Sequence, residues 1–192
     1  MLWTVEDGGQ VSEIEVLKVA EVDAAGRIVA YIIFDADDHA AASADLVERY
    51  ARSGAGEIPA TWFEFWRAWN AHDLGRLRTL LPSGYYFHDH RHTGIGRVEG
   101  EAYIASLGAL FELSPDVRLE PLYWVAAAAH GGVGVMRWVG TNAEGGEFEA
   151  VFAGLSLYRG EVPVGAELFE IADFDAALAR FEELRDPRSQ EP

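Results

Sequence analysis

The chain has 192 residues, 49% of them apolar and 12% aromatic, enough for a core of ordinary domain size, which excludes wholesale disorder. Its 32 acidic and 15 basic residues leave a net charge of −17, which repels phosphate backbones and anionic lipid and makes nucleic acid and membrane surfaces poor partners. Cysteine is absent, which excludes disulfides, thiolate metal ligands and a cysteine nucleophile, and fits a reducing compartment.

No segment reaches the roughly 18 apolar residues of a membrane span. The start, MLWTVEDGG, lacks the basic residues and apolar run of a secretory signal. A soluble, cytoplasmic protein is expected.

In chain order, the first pattern is a hairpin: Val11–Val22, a turn at Asp23-Ala-Ala-Gly26, then Arg27–Phe34. An Ala-rich helix follows. The stretch AYIIFDADDHAAASADLVER at 30–49 returns, shifted by 136 positions, as AELFEIADFDAALARFEELR at 166–185, with six of 20 pairs identical. Each copy follows a hairpin, the second being Glu147–Tyr158, Arg159-Gly160 and Val162–Phe169. Residues 1–52 therefore read as the hairpin–helix end of one unit, 53–58 as a Gly-containing linker, 59–186 as a complete second unit and 187–192 as a tail. On this reading the chain is a piece of a longer, tandemly repeated protein.

The second unit opens with a helix. Pro59 precedes it, Thr61 and Glu64 have capping-box spacing, and Trp62, Phe65, Trp66 and Trp69 follow a helical period. Asn70-Ala-His-Asp73 breaks the helix, and Asp73 can cap a short second one carrying Leu74, Leu77, Leu80 and Leu81. Tyr85–His92 alternates as a strand, Thr93–Gly96 is a turn, and a third helix spans Gly100–Leu113. Strands at Val117–Ala129, Val133–Thr141, Glu147–Tyr158 and Val162–Phe169 follow, then a helix at Asp173–Leu184. Helices gather at one end and antiparallel hairpins at the other, which predicts an α+β fold.

The segments WRAWNAHDLGRLRTLL (66–81), YYFHDHRHTGIGRVEGEAYIASL (85–107) and FEAVFAGLSLYRGEVPVGAELFE (148–170) resemble the nuclear transport factor 2-like superfamily, in particular its SnoaL-like branch. The resemblance covers about 59–185. It is similar above all to the SnoaL-like domains found in tandem in actinobacterial regulatory proteins. It implies a cone-shaped, curved antiparallel sheet packed on three helices around an apolar pocket. Members of the superfamily include isomerases, polyketide cyclases, epoxide hydrolases, dehydratases and binding modules without catalysis.

Asp89 is the first candidate for chemistry. It lies 19 residues after Asn70, the spacing at which the isomerases of the superfamily carry their carboxylate base. Alternation places Tyr85, Phe87, Asp89 and Arg91 on one strand face and Tyr86, His88, His90 and His92 on the other. Burial of Asp89 would favour the neutral acid, whereas pairing with Arg91 would favour the carboxylate. Two departures from the isomerase pattern weigh against that activity: Phe65 stands where the resemblance implies an oxyanion-hole tyrosine, and Gly154 where it implies a second acid.

The H-x-H-x-H run of His88, His90 and His92 is the second candidate, since two imidazoles and a carboxylate suffice for zinc or manganese. The third is an aromatic pocket built from Trp62, Phe65, Trp69, Tyr85, Phe87, Tyr103, Trp124, Trp138, Phe152 and Tyr158, suited to a flat apolar ligand. Three readings stay open. One is a small-molecule-binding, regulatory module. Another is a cofactor-free isomerase, cyclase or hydrolase with Asp89, Arg91 and His90 as its catalytic set. The last is a metal-assisted hydrolase on the histidine strand. The hairpin at 1–50 presents Ile14, Val16, Val19, Ile28, Ile32 and Phe34, and so predicts a homodimer in which this segment contributes to the interface.

Overall fold

The computed structural model describes residues 2–7, 10–53 and 58–185. Residues 54–57 of the predicted 53–58 linker and the tail at 187–192 lie outside them, while Ser53, expected in the linker, is still helical. The chain divides into two compact units, 1–55 and 56–192.

The first unit is an antiparallel sheet of β1 (Leu2–Asp7), β2 (Gln10–Val22) and β3 (Ile28–Asp35), followed by α1 (His39–Ser53). The sequence reading lacks β1. The β2–β3 turn forms as expected: Asp23 Oδ1 accepts from the backbone N–H of Ala25 at 2.9 Å and of Arg27 at 3.0 Å. The helix packs on the face that holds Val19 and its cross-strand partner Ile32, where Val19 and Val47 are buried. Arg49 of α1 reaches Glu21 of the same face at 3.1 Å. The other face presents Val29, Tyr31 and Ile33, each about half exposed.

The second unit holds α2 (Ala60–Asn70), α3 (Leu74–Leu80), β4 (Tyr86–Asp89), β5 (Gly96–Glu99), α4 (Gly100–Leu113), β6 (Arg118–Ala128), β7 (Gly131–Thr141), β8 (Glu147–Arg159), β9 (Val162–Glu170) and α5 (Phe174–Glu183). Its six strands form one curved sheet in the order β5-β4-β9-β8-β7-β6. The α+β class and the cone-type arrangement are as expected. All neighbours run antiparallel except β4 and β9, which run parallel, so the sheet is mixed. The helices α2 and α4 pack inside the sheet. On its outer face α5 buries Ala177, Phe181 and Leu184 against Val133, Ala153, Leu155, Leu157 and Phe169.

Three local expectations change. The predicted strand at 85–92 ends at Asp89, and a short unforeseen strand, β5, returns beside it. The capping box does not form. Pro59 is the N-cap, and the open N–H of Ala60 donates instead to the Glu161 carboxylate at 3.1 Å, while the Thr61 hydroxyl donates to the Glu161 carbonyl at 2.6 Å. The 136-residue shift equates Ile32, on the helix-covered face of the first unit, with Leu168, on the cavity face of the second. Strand, hairpin and helix recur in the same order, but the ungapped alignment is out of phase by a face.

The helix break has a clear cause. Asp73 Oδ1 accepts from Arg76 N at 2.8 Å and caps α3, as expected. Asn70 ties the break to the sheet: its Nδ2 donates to Trp66 O at 3.1 Å and Leu119 O at 3.0 Å, and its Oδ1 accepts from Leu119 N at 2.8 Å. His72 takes the turn at a left-handed φ of 53°, and its ring stacks on Phe111.

Candidate active site

A small cavity lies between α2, α4 and the inner face of the sheet. Trp62, Phe65, Trp69, Phe87, Tyr103, Trp124, Trp138 and Phe152 of the predicted set line it. Each arrives by its element's periodicity: one helical face from α2, and alternate residues from the strands. The rings pack edge to face, Trp62 on Trp124 at 5.1 Å and Trp69 on Phe111 at 5.3 Å, while Trp138 lies nearly parallel to Trp69. The free volume is about 60 Å³, room for about two waters. A wider groove of about 400 Å³, bounded by Asp116, Arg118 and Glu147, opens to solvent elsewhere on the sheet and is lined by exposed and half-buried residues.

Two predicted pocket residues are placed differently. Tyr85 lies just before β4 and packs on Tyr103 in the core, where burial drives its hydroxyl well above the ordinary range. Tyr158 follows a register shift in β8 between Leu157 and Tyr158 and is buried, with its hydroxyl also raised by burial. Neither lines the cavity. Met136, Gly154, Ser156, Ala166 and Leu168 do, and were missed, although alternation from Trp138 and Phe152 reaches Met136, Gly154 and Ser156, whose cross-strand partners include Leu168 and Ala166. At Gly154 a Cβ would come within 2.9 Å of Met136 Cγ, so the Met136 side chain crowds the place where the isomerase resemblance implies an acid.

Asp89 and Arg91 do come together. The Asp89 side chain is 4% exposed and that of Arg91 14%. Arg91 Nε donates to Oδ1 and Nη2 to Oδ2, both at 2.8 Å, and Arg91 N adds a third bond to Oδ1 at 3.2 Å. The guanidinium carbon lies 4.8 Å from the centroid of Trp138 and 5.2 Å from that of Phe152, so it caps the aromatic wall. Gly94 closes the turn behind the carboxylate, where a Cβ would fall 2.4 Å from Asp89 Cγ. Both carboxylate oxygens are thus held by arginine rather than offered to the cavity.

His90 is not part of this set. It turns to the opposite face, where its Nε2 meets Glu167 Oε2 at 2.8 Å. His88 shares that face, its imidazole held below the ordinary value first by burial and then by His90. Glu167, nearly fully buried on β9, was not foreseen. Burial raises its carboxyl, but hydrogen bonds from His90 and Tyr86 and the charge of Arg180 outweigh this and hold it below the ordinary value. His92 leaves the predicted triad. The strand has already ended, and its ring is 90% exposed, 3.7 Å from Glu170.

One donor in the cavity wall is unmet: among the described residues, the buried Trp138 Nε1 has no acceptor.

Residues 62–161 match the SnoaL-like domain family. The chain belongs to that family. Its fold is similar to a protein of ketosteroid isomerase-like fold from Catenulispora acidiphila, solved with trimethylamine, at 18% identity over 62% of this chain and 92% of that one, with a TM-score of 0.50. It is also similar to IdmH from Streptomyces antibioticus, a proposed polyketide cyclase, at 18% identity over 62% and 96%, TM-score 0.50. No functionally curated protein is significantly similar in sequence. The SnoaL-like match begins at Trp62, on the cavity face of α2, and ends at Glu161, which closes that helix's N-terminus. No described helix is long and apolar enough to cross a membrane.

Proposed function

We propose that the SnoaL-like unit binds a small, flat, mainly apolar molecule carrying a hydrogen-bond acceptor, and serves as a ligand-responsive, regulatory module. The carrying observation is the buried Trp138 N–H without an acceptor in an otherwise aromatic wall. An unmet buried donor costs about 1–3 kcal/mol, which a ligand carbonyl would relieve. A ring-sized guest needs more than the present 60 Å³. Trp124 is the wall that can yield, since it is half-buried and stands on the edge strand β6. The polyketide-cyclase description of IdmH accords with a ring-bearing ligand class. Titration with chromone, followed by tryptophan fluorescence, is expected to show saturable quenching. Trp138→Phe should weaken binding about tenfold, the worth of one hydrogen bond. Quenching that never saturates, or that Trp138→Phe leaves unchanged, refutes the reading.

A second reading rests on the buried Asp89 carboxylate, whose partner Arg91 lies against Trp138 and Phe152 of the cavity wall: cofactor-free acid–base chemistry of an isomerase, cyclase or hydrolase. It requires the Arg91 guanidinium to swing off the carboxylate when substrate enters. For such an activity, Asp89→Asn should cost at least about 100-fold in rate. A loss below about threefold removes Asp89 from the mechanism.

The same proposal places the protein in the cytoplasm as a homodimer. The half-exposed Val29, Tyr31 and Ile33 and the open edge of β3 support pairing with the same segment of a second copy, because a two-fold axis there would cover both faces at once. A monomer by light scattering at micromolar concentration contradicts it.

A further inference from the structure

The face of β4 turned away from the cavity carries a second set of chemical groups. Because β4 runs parallel to β9, His88 sits in register with Glu167. His90, one residue past the strand, is anchored by its backbone N–H to Leu168 O at 2.9 Å and returns its ring to the same side. One ligand atom each from His88, His90 and Glu167 lies within 4.8 Å of the other two. The two imidazole centroids are 3.7 Å apart.

We propose that His88, His90 and Glu167 form a binding site for a first-row divalent transition-metal ion, of which zinc is the representative. Two imidazole nitrogens and one carboxylate oxygen are a donor set that first-row ions accept, with the remaining positions left to water. The carboxylate is already oriented. Glu167 Oε1 accepts from Tyr86 Oη at 2.8 Å and Arg180 Nε at 3.2 Å, which leaves Oε2 facing His90. Such outer hydrogen bonds hold a ligand in place for its ion. In the free protein the His90 Nε2–Glu167 Oε2 hydrogen bond spans the position. A small ring rotation and a shift of the His90 proton to Nδ1 admit an ion in its place. Two arginines stand nearby, each with an acidic partner of its own: Arg180 with Glu183 at 2.8 Å and Arg97 with Glu99 at 3.1 Å. Arg180 also bonds Glu167, so it divides its charge between two carboxylates, and part of the charge of Glu167 remains for the cation. The half-exposed His90 side chain gives the entry path. An ion there would brace β4, which carries Asp89 on its other side, against β9.

The test is calorimetric titration of the untagged full chain with zinc chloride, in excess magnesium to occupy the acidic surface. One zinc per chain is expected, with a rise in melting temperature. His88→Ala and His90→Ala should each weaken binding by at least about tenfold, and Tyr86→Phe by up to about tenfold through loss of carboxylate orientation. His92→Ala, at an exposed imidazole outside the set, should leave affinity unchanged. A cobalt(II) spectrum of the unaltered chain showing imidazole-ligated visible bands supports the site independently of any variant. No zinc binding at millimolar concentration overturns the proposal. So does binding that survives both His88→Ala and His90→Ala, or a loss with His92→Ala equal to that with His90→Ala.

Discussion

Arg91 holds both oxygens of Asp89 at 2.8 Å although the strand that carries Asp89 has already ended. The pair closes by the chain turning back, not by strand alternation. Removing one member leaves the other charged and nearly dry. Arg91→Met should therefore destabilise the fold by about 3–5 kcal/mol, whereas the double change Asp89→Asn with Arg91→Met should cost clearly less. Urea unfolding of the two singles and the double gives the coupling directly. Additive losses would show that the pair does not act as a unit.

Asn70 is expected to matter for folding and not for chemistry. It uses both ends of its amide, and Leu119 N depends on its Oδ1. Asn70→Ala should cost about 1–3 kcal/mol. Asn70→Asp, which keeps the acceptor for Leu119 but loses both donated bonds, should fall between the alanine variant and the natural chain. Denaturant midpoints rank the three.

Asn70 also shows what was legible in the sequence. The Asn-Ala-His-Asp break, the Asp73 cap and the apolar periods of α2 and α4 are local, and local patterns placed the helices and most strands. The mixed sheet was not local. The β4–β9 pairing joins segments about 80 residues apart, and nothing in either segment names its partner. Glu167 was missed for the same reason, since its partners Tyr86 and His90 lie 81 and 77 residues away. A signal did exist: counting by twos along β9 puts Glu167 on the face of Phe169, a charge on an apolar stripe, which demands partners. Tyr158 was misplaced because a register shift interrupts the alternation that the sequence alone assumes.

Asp116 should give the protein an acid-labile component of stability. Hydrogen bonds from the Thr141 backbone and hydroxyl, each 2.8 Å, lead the interactions that lower its carboxyl below the ordinary 3.8. A carboxyl lowered on folding contributes stability that is fully present above its unfolded value and is lost as pH falls through the folded one. The melting temperature should thus drop below about pH 4. In Asp116→Asn the natural chain's advantage at pH 7 should shrink on acidification. An unchanged difference between pH 7 and pH 3 would contradict the assignment.

Phe181 joins α5 to the outer face of the sheet and separates stability from the cavity. It is buried among Leu155, Leu157 and Phe169, its ring stacks on His130 at 4.4 Å, and its carbonyl bonds that imidazole at 3.0 Å. Phe181→Ala should cost about 3–5 kcal/mol, the usual loss for a buried phenylalanine. Trp62, Trp69, Trp124 and Trp138 lie across the sheet on the cavity side. The folded variant at low temperature should therefore keep the natural tryptophan emission and the natural chromone affinity while melting earlier. Loss of chromone binding by folded Phe181→Ala would mean that the outer helix controls the cavity, and the division of the sheet into a stabilising face and a binding face would be wrong.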